Sequence, residues 1–536
     1  MTYDSSRLKS SLDAPSPGAT VLRHWLIVLL AAGIGWRLFR YLRCFPFWGD
    51  EAYLNTSIMR LDYAELLGPL HYFQVAPLLY LWLQRTAYLL FGGGEFALRF
   101  SSLLAGLGAL LLFWRLARRQ LEPLATNVAV GFFACSYYLV RHTCESKPYA
   151  IDLFVATLLI WLAVRWWQTP SSTKWPLLAT AVTVPAIWLS YPTVFVACGV
   201  SLVTLVSCVR SKSKRGWVLW AIYNTLVVAS FVTFLSLYAL SASERAADSW
   251  LEEYWREAFP PRSSVGAFLW WLVKIHCGRM FSYPHGGPHF ASTLTTLLFL
   301  VGAVVLVIRR QGLLVLLFAG TAAATMFAAV LERYPYGGSV RVSIFFAPLI
   351  CLIAGVGTTV VIDRLVPQRG RDAARGLVGI VLVGLAVFGM ARDALVPYKS
   401  EEDGHMRNVM RDVSQLFCAG DVVAIVNPEE GNPGPPDGPK FHQVPRYYLE
   451  LYGPVEPTFR RGGPLPAEAD WILAYHNQWI GPDRERVAQL ASAAGLELTS
   501  EQVYPLSRRR PHTLTVYRCT TSVDLSRSTV SGSERD

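Results

Sequence analysis

The strongest constraint on this chain is a series of about eleven apolar runs, each near the length a helix needs to cross the hydrocarbon core of a bilayer. They fall near residues 22–39, 96–114, 123–140, 150–167, 176–190, 193–209, 217–240, 291–308, 312–331, 342–362 and 376–392. Inside hydrocarbon each backbone N–H and C=O must be paired within its own segment, so such runs read as helices. Composition agrees: 16% of residues are charged and 53% hydrophobic, whereas soluble domains are roughly one quarter charged. The expected fold class is a polytopic α-helical membrane protein with about 11 transmembrane helices and a small C-terminal α/β soluble domain.

Two stretches decide the count. Pro77–Gly92 is apolar but short and carries Gln84 and Arg85, so it reads as an interfacial or re-entrant helix. The stretch 176–209 is broken by Ser190-Tyr191-Pro192, and proline with its neighbour disfavours a continuous helix, so it reads as two short spans. With these choices the short loops at 115–122, 165–175, 210–216, 309–311 and 363–375 hold about 15 Lys and Arg, against about four in the opposite loops. Positive charge marks the cytoplasmic side. The expected location is therefore the cytoplasmic (inner) membrane, with the N-terminus cytoplasmic and the C-terminal domain extracytoplasmic. Arg37, Arg40 and Arg43 follow the first span on the outer side, against this bias, and are expected to face lipid phosphates or a substrate.

The expected domains are a cytoplasmic tail at 1–20 and a membrane domain at 21–392 with long outer loops at 40–95 and 241–290. An extracytoplasmic α/β domain follows at 393–519, then a disordered tail rich in Ser, Thr and charge at 520–536. In the α/β domain 421–426, 471–475, 496–504 and 512–518 read as strands, 482–494 as a helix and 428–440 as a Pro/Gly-rich loop. No small-residue cleavage site follows the first run, which reads as a retained anchor. The net charge of +11 does not require nucleic acid, because loop orientation accounts for it. Nine cysteines show neither CxxC nor zinc-ligand spacing.

Four segments on the expected outer side concentrate chemistry. Phe47-Trp48-Gly49-Asp50-Glu51-Ala52-Tyr53 sets two adjacent carboxylates beside interface aromatics: either a solvated loop end or a functional pair. Arg141-His142-Thr143-Cys144-Glu145-Ser146-Lys147-Pro148-Tyr149, with Asp152 just inside the next span, must pair internally or bind something. Glu332-Arg333-Tyr334-Pro335-Tyr336 with Arg341 suits a phosphate through forked donors, or snorkels to headgroups. Arg279 to His285, preceded by Trp270, Trp271 and His276, reads mainly as an aromatic belt beside a mobile loop. Carboxylates beside cations at membrane depth suit transfer of a group from a lipid-linked phosphate. A carboxylate takes the acceptor proton as general base, and cations neutralise the departing phosphate. Direct displacement inverts the anomeric centre.

The Asp50-Glu51 pair, the segment Gln74–Pro77 with Leu78–Gly92, then Glu95-Phe96-Ala97-Leu98-Arg99 and Glu145-Ser146-Lys147-Pro148-Tyr149 occur in this order. Over about residues 20–360 the chain resembles the GT-C membrane glycosyltransferases. The bacterial branch with lipid A aminoarabinose transferase and the protein O-mannosyltransferases is the nearest in look. The resemblance implies Asp50 as the catalytic base with Glu51 beside it, and Lys147, Arg341 and Arg279 as ligands of the polyprenyl phosphate. Relatives often carry Lys-Pro-Pro where this chain has Gln74-Val75-Ala76-Pro77, so His71, Arg85 or Lys147 is expected to replace that lysine. Glu145, Tyr149, Gln74 and Tyr336 are the further substrate-contacting candidates.

The implied donor is a polyprenyl-phosphate-linked sugar such as an undecaprenyl-phosphate sugar. The acceptor is a glycan, glycolipid or protein, and no nucleic acid takes part. No metal is expected to be required, although oligosaccharyltransferase relatives need one. The competing class is a transporter or lipid flippase, which would place charges at mid-bilayer on paired broken helices; here the ionisable residues gather at span ends.

Overall fold

In a computed structural model the described residues are 17–71, 74–239, 255–398, 401–426, 443–453, 465–476, 484–507 and 513–521. The loop expected at 428–440, most of the 1–20 tail and all but two residues of the 520–536 tail lie outside them, as does 241–254 of the large loop.

Each of the apolar runs forms helix. Eight helices among the described residues are long and apolar enough to cross a membrane, and Pro123–Ala134, Lys174–Leu189 and Thr293–Ile308 are shorter apolar helices among them. The protein is a multi-pass membrane protein. The helix Leu78–Phe91 has 14 residues, short of a span. The break at Ser190–Pro192 separates Lys174–Leu189 from Thr193–Ser211.

One run departs from expectation. Residues 123–140 form not one helix but two, Pro123–Ala134 and Tyr137–His142. The terminal carbonyls of the first are taken up by a side chain: Arg37 Nη1 donates to Ala134 O at 3.1 Å and Nη2 to Phe133 O at 3.4 Å. Arg37 and Arg40 are both buried, which corrects the expectation that they face lipid phosphates or a substrate. Arg40 instead pairs with Asp393, whose second oxygen accepts Trp36 Nε1–H at 2.7 Å. These contacts tie the helix Pro17–Leu42 to the helix Arg371–Leu395.

The chain divides into two compact units. The first comprises Met1–Arg43, Val75–Ala87 and Leu98–Ala394. Its helices meet at small residues, which is how membrane helices gain packing when lipid is as apolar as leucine. A Cβ on Gly302 would lie 2.0 Å from Ile353 O, and one on Gly357 1.8 Å from Leu298 O. The helices Thr293–Ile308 and Ala347–Leu365 therefore cross backbone against backbone. Gly355 approaches Ala125 O and Ala129 in the same manner, so Ala347–Leu365 is gripped on two sides.

The second unit comprises Cys44–Gln74, Tyr88–Ala97 and Leu395–Asp536. It holds a four-stranded sheet of β1 (Val423–Val426), β2 (Trp471–His476), β3 (Leu496–Pro505) and β4 (Thr513–Thr521), in the order β1-β2-β4-β3. β1 and β2 are parallel; the other pairs are antiparallel. Ile472, Ala474, Leu496 and Tyr517 pack with Val487 and Ala491 of the helix Arg484–Ala493 to form its core. Three helices of this unit were not foreseen: Gly49–Arg60, Glu401–Ser414 and Gln443–Tyr452. One polar network ties the last two of these helices to the segment just before Gly49–Arg60. Tyr448 Oη–H donates to Glu95 Oε1 at 2.6 Å and accepts the Phe47 N–H at 2.7 Å. Arg407 pairs with Glu95 at 3.1 Å and donates to Cys44 O at 2.7 Å.

Gly302→Val and Gly357→Val should each destabilise the protein by about 2–3 kcal/mol through overpacking, read as a lowered melting temperature in detergent. Gly312→Ala, where a Cβ meets nothing within 4 Å, should melt like wild type; equal melting of all three would contradict the helix crossing. Tyr448→Phe strips Phe47 N–H and Glu95 of one bond each, at about 1–3 kcal/mol. Faster amide exchange in residues 44–51 is expected, and unchanged exchange would show that this network does not hold the segment.

Candidate active site

Within the second unit, Asp50 and Glu51 do not lie in a loop. Trp48 is the N-cap of Gly49–Arg60, and Glu51 Oε2 accepts the Trp48 N–H at 3.4 Å, the reach-back of a capping box. Two carboxylates in a first turn also suit the positive end of the helix dipole. The side chains then differ. Glu51 is fully buried and serves as a cap, whereas Asp50, one residue earlier, is half-buried. Of the two, Asp50 has the access a base requires.

His71 is held by its own N–H on Ser57 Oγ at 2.9 Å. Burial, then the neighbouring Arg60 and Arg446, lowers its pKa against the pull of Glu450. A neutral imidazole is a weak phosphate ligand, so the cations of this neighbourhood are the arginines. Both are engaged: Arg60 binds Glu450 through Nε and Nη2 at 2.7 Å, and Arg446 Nε binds the same carboxylate at 2.7 Å. Gln74 is half-buried, with its N–H directed at His71 O over 3.4 Å.

In the first unit, the loop between Tyr137–His142 and Tyr149–Gln168 is built around Glu145. Its carboxylate accepts from Arg141 Nε at 3.1 Å and His142 Nδ1 at 2.9 Å, and Ser102 Oγ–H donates to its carbonyl at 2.7 Å. Burial works against its charge, but His142 and Arg141 outweigh that and hold the carboxyl far below the ordinary range. His142 itself is lowered by burial, with Arg141 and Arg341 opposing its protonation against Glu145. Arg341 thus lies within electrostatic reach of this loop, and its guanidinium sits 5.5 Å from the Trp255 ring centre. Tyr149 packs edge-on to His142 at 5.4 Å, and Lys147 is buried in the same loop.

Arg279 is exposed and reaches Gly338 O at 3.3 Å. Tyr336 is buried, its hydroxyl 3.2 Å from His276 Nε2. His276 Nδ1 lies 2.7 Å from Leu272 O, so the proton sits on Nδ1 and Nε2 accepts from Tyr336. Arg85 is half-buried on Leu78–Phe91.

The first unit thus gathers Glu145, Lys147, Tyr149 and Arg341, and sets Arg279 near the loop of Tyr336. The second holds Asp50, Glu51, His71 and Gln74. What the sequence reading missed is the support: Arg407 and Tyr448 stand in parts of the α/β domain for which no element was expected, with only the apolar spacing of their helices as a signal. Among the described residues no group of three His, Cys, Asp or Glu is placed to hold a metal ion.

Residues 75–236 match the family model of dolichyl-phosphate-mannose-protein mannosyltransferases. ArnT from Cupriavidus metallidurans bound to undecaprenyl phosphate is similar at a TM-score of 0.53 and 14% identity, over 92% of this chain and 98% of that chain. The same enzyme in the apo state gives 0.52 and 14%, over 93% and 98%. No curated protein matches the chain by sequence. The chain therefore shares the fold of ArnT over most of its length, and the mannosyltransferase family model matches it over residues 75–236.

Proposed function

We propose that the protein is a membrane glycosyltransferase that moves a hexosyl or pentosyl group from a polyprenyl phosphate, such as undecaprenyl phosphate, to an acceptor outside the cytoplasm. The observation that carries this reading is the mannosyltransferase match over 75–236, which contains the buried charged loop of Glu145 and Lys147. It is supported by the fold shared with an enzyme whose structure holds undecaprenyl phosphate. In this reading the N-terminus is cytoplasmic, and the membrane is the cytoplasmic one.

Asp50 accepts the proton of the acceptor hydroxyl as that oxygen attacks the anomeric carbon. The bond from the anomeric carbon to the phosphate oxygen breaks, and the configuration inverts. Charge grows on the phosphate as it leaves, and fixed cations lower the barrier by meeting it there. Lys147 and Arg341 have this role, with Arg279 and Arg85 as outlying cations. Glu145 orients Arg141 and His142 rather than acting as a second base, because its carboxylate is already committed to them. Tyr149, Gln74 and Tyr336 contact or line up the substrate. Catalysis on this account needs no metal.

With a radiolabelled polyprenyl-phosphate sugar and membrane acceptors, Asp50→Asn should lower transfer by at least 100-fold while the protein melts as wild type. Full activity in that variant would remove Asp50 from the mechanism. Lys147→Met and Arg341→Met should each lower kcat/KM by roughly 10- to 100-fold. Chelation with EDTA should leave the wild-type rate unchanged, and a rate restored only by added divalent ion would overturn the metal-free reading.

A further inference from the structure

Three buried polar groups, Asp152, Ser190 and Tyr191, meet near one end of the helix Tyr149–Gln168, and Asp152 Oδ1 and Tyr191 Oη are left without a hydrogen-bond partner. Asp152 and Ser190 are 6% and 1% exposed, and the Ser190 hydroxyl faces the Asp152 carboxyl. Tyr191 and Tyr334 lie within electrostatic reach of Asp152. The remaining tyrosines are anchored: Tyr334 donates to Val342 O at 2.9 Å and Tyr238 to Ala76 O at 2.8 Å. Rings close around the cluster, with Phe195 4.9 Å from Tyr334 and Phe234 5.7 Å from Tyr191. The break between the helices Lys174–Leu189 and Thr193–Ser211 delivers Ser190 and Tyr191 to this place.

Buried carboxylates and hydroxyls are costly without partners. A carboxyl at a span end with one oxygen left unbonded is a candidate for binding. The chemistry of these atoms restricts what binds. None of the three brings a positive charge to hold a phosphate. A divalent ion takes several oxygen ligands, and among the described residues no acidic cluster is placed to supply them. A lipid tail would leave Asp152 Oδ1 and Tyr191 Oη unpaired. A ring carrying several hydroxyls satisfies them: its O–H groups donate to Asp152, the Ser190 and Tyr191 hydroxyls donate or accept, and the aromatic rings cover its C–H faces.

We propose that Asp152, Ser190 and Tyr191 form a subsite for the hydroxyls of the sugar carried on the lipid phosphate, and so select which sugar is transferred. This rests on the transferase reading above. The test uses the full chain in nanodiscs and two kinds of probe, bare undecaprenyl phosphate and undecaprenyl phosphate bearing glucose, galactose, mannose, arabinose or a 4-amino pentose. At least one sugar-bearing lipid should bind more tightly than the bare lipid. Asp152→Leu should remove that gain by at least tenfold, and the near-isosteric Tyr191→Phe by about fivefold, while binding of the bare lipid stays unchanged. Should Asp152→Leu fail to fold, Tyr191→Phe alone decides. Sugar-lipid binding unaltered by these substitutions, or no gain from any sugar, would overturn the subsite. Failure of the wild type to bind even bare undecaprenyl phosphate would instead overturn the transferase reading.

Discussion

A charge at the edge of hydrocarbon persists only with a partner, and this structure is arranged around meeting that requirement. Arg40 is bound to Asp393, and Arg37 takes up the carbonyls that a shortened helix leaves open. Glu145 is held between Arg141 and His142. In the second unit Glu95 binds Arg407 and Tyr448. Removing one member of such a pair leaves the other buried and unpaired, which is far more costly than losing a surface ion pair. These ties therefore fix helix ends and loops, and those ends and loops carry the candidate chemistry.

The spans were legible because their signal is long and continuous: some 20 apolar residues cannot be hidden by local context. The run at 123–140 was misread as one helix because the residue that ends it, Arg37, stands almost a hundred positions earlier. The strands of the second unit were legible from their short apolar runs. Its helices were not. Glu401–Ser414 opens on three acidic residues and drew no element in the sequence reading, yet Met406, Met410 and Val413 recur at helical spacing and are all buried. Gln443–Tyr452 hides the same way, with Val444, Tyr447 and Tyr448 on its buried face beside a Pro/Gly-rich stretch.

The candidate site was legible by residue type rather than by role. Asp50 and Glu51 stood out as a pair, but the sequence could not divide them; the cap geometry does, committing Glu51 to the Trp48 N–H. Arg141, His142 and Glu145 stood out as a cluster that must pair or bind, and pairing accounts for Glu145. His71 was counted among the cations, but burial and two arginines oppose its charge. Asp152 differs from the other buried acids described above: one of its oxygens has no protein partner, so the rule that explains the rest of the structure marks it as a place to look for a ligand.

The account depends on the charged loops and the sheet-bearing unit facing away from the cytoplasm, where a carrier lipid presents its sugar after crossing the bilayer. Single cysteines at exposed positions in a cysteine-free chain test this most directly: Ala64→Cys, Arg279→Cys and Ser500→Cys, with Lys212→Cys for the opposite loops. A membrane-impermeant maleimide on intact spheroplasts should label the first three and reach position 212 only after permeabilisation. The reverse pattern would put the acids, the cations and the soluble unit on the cytoplasmic side and contradict the proposed transfer.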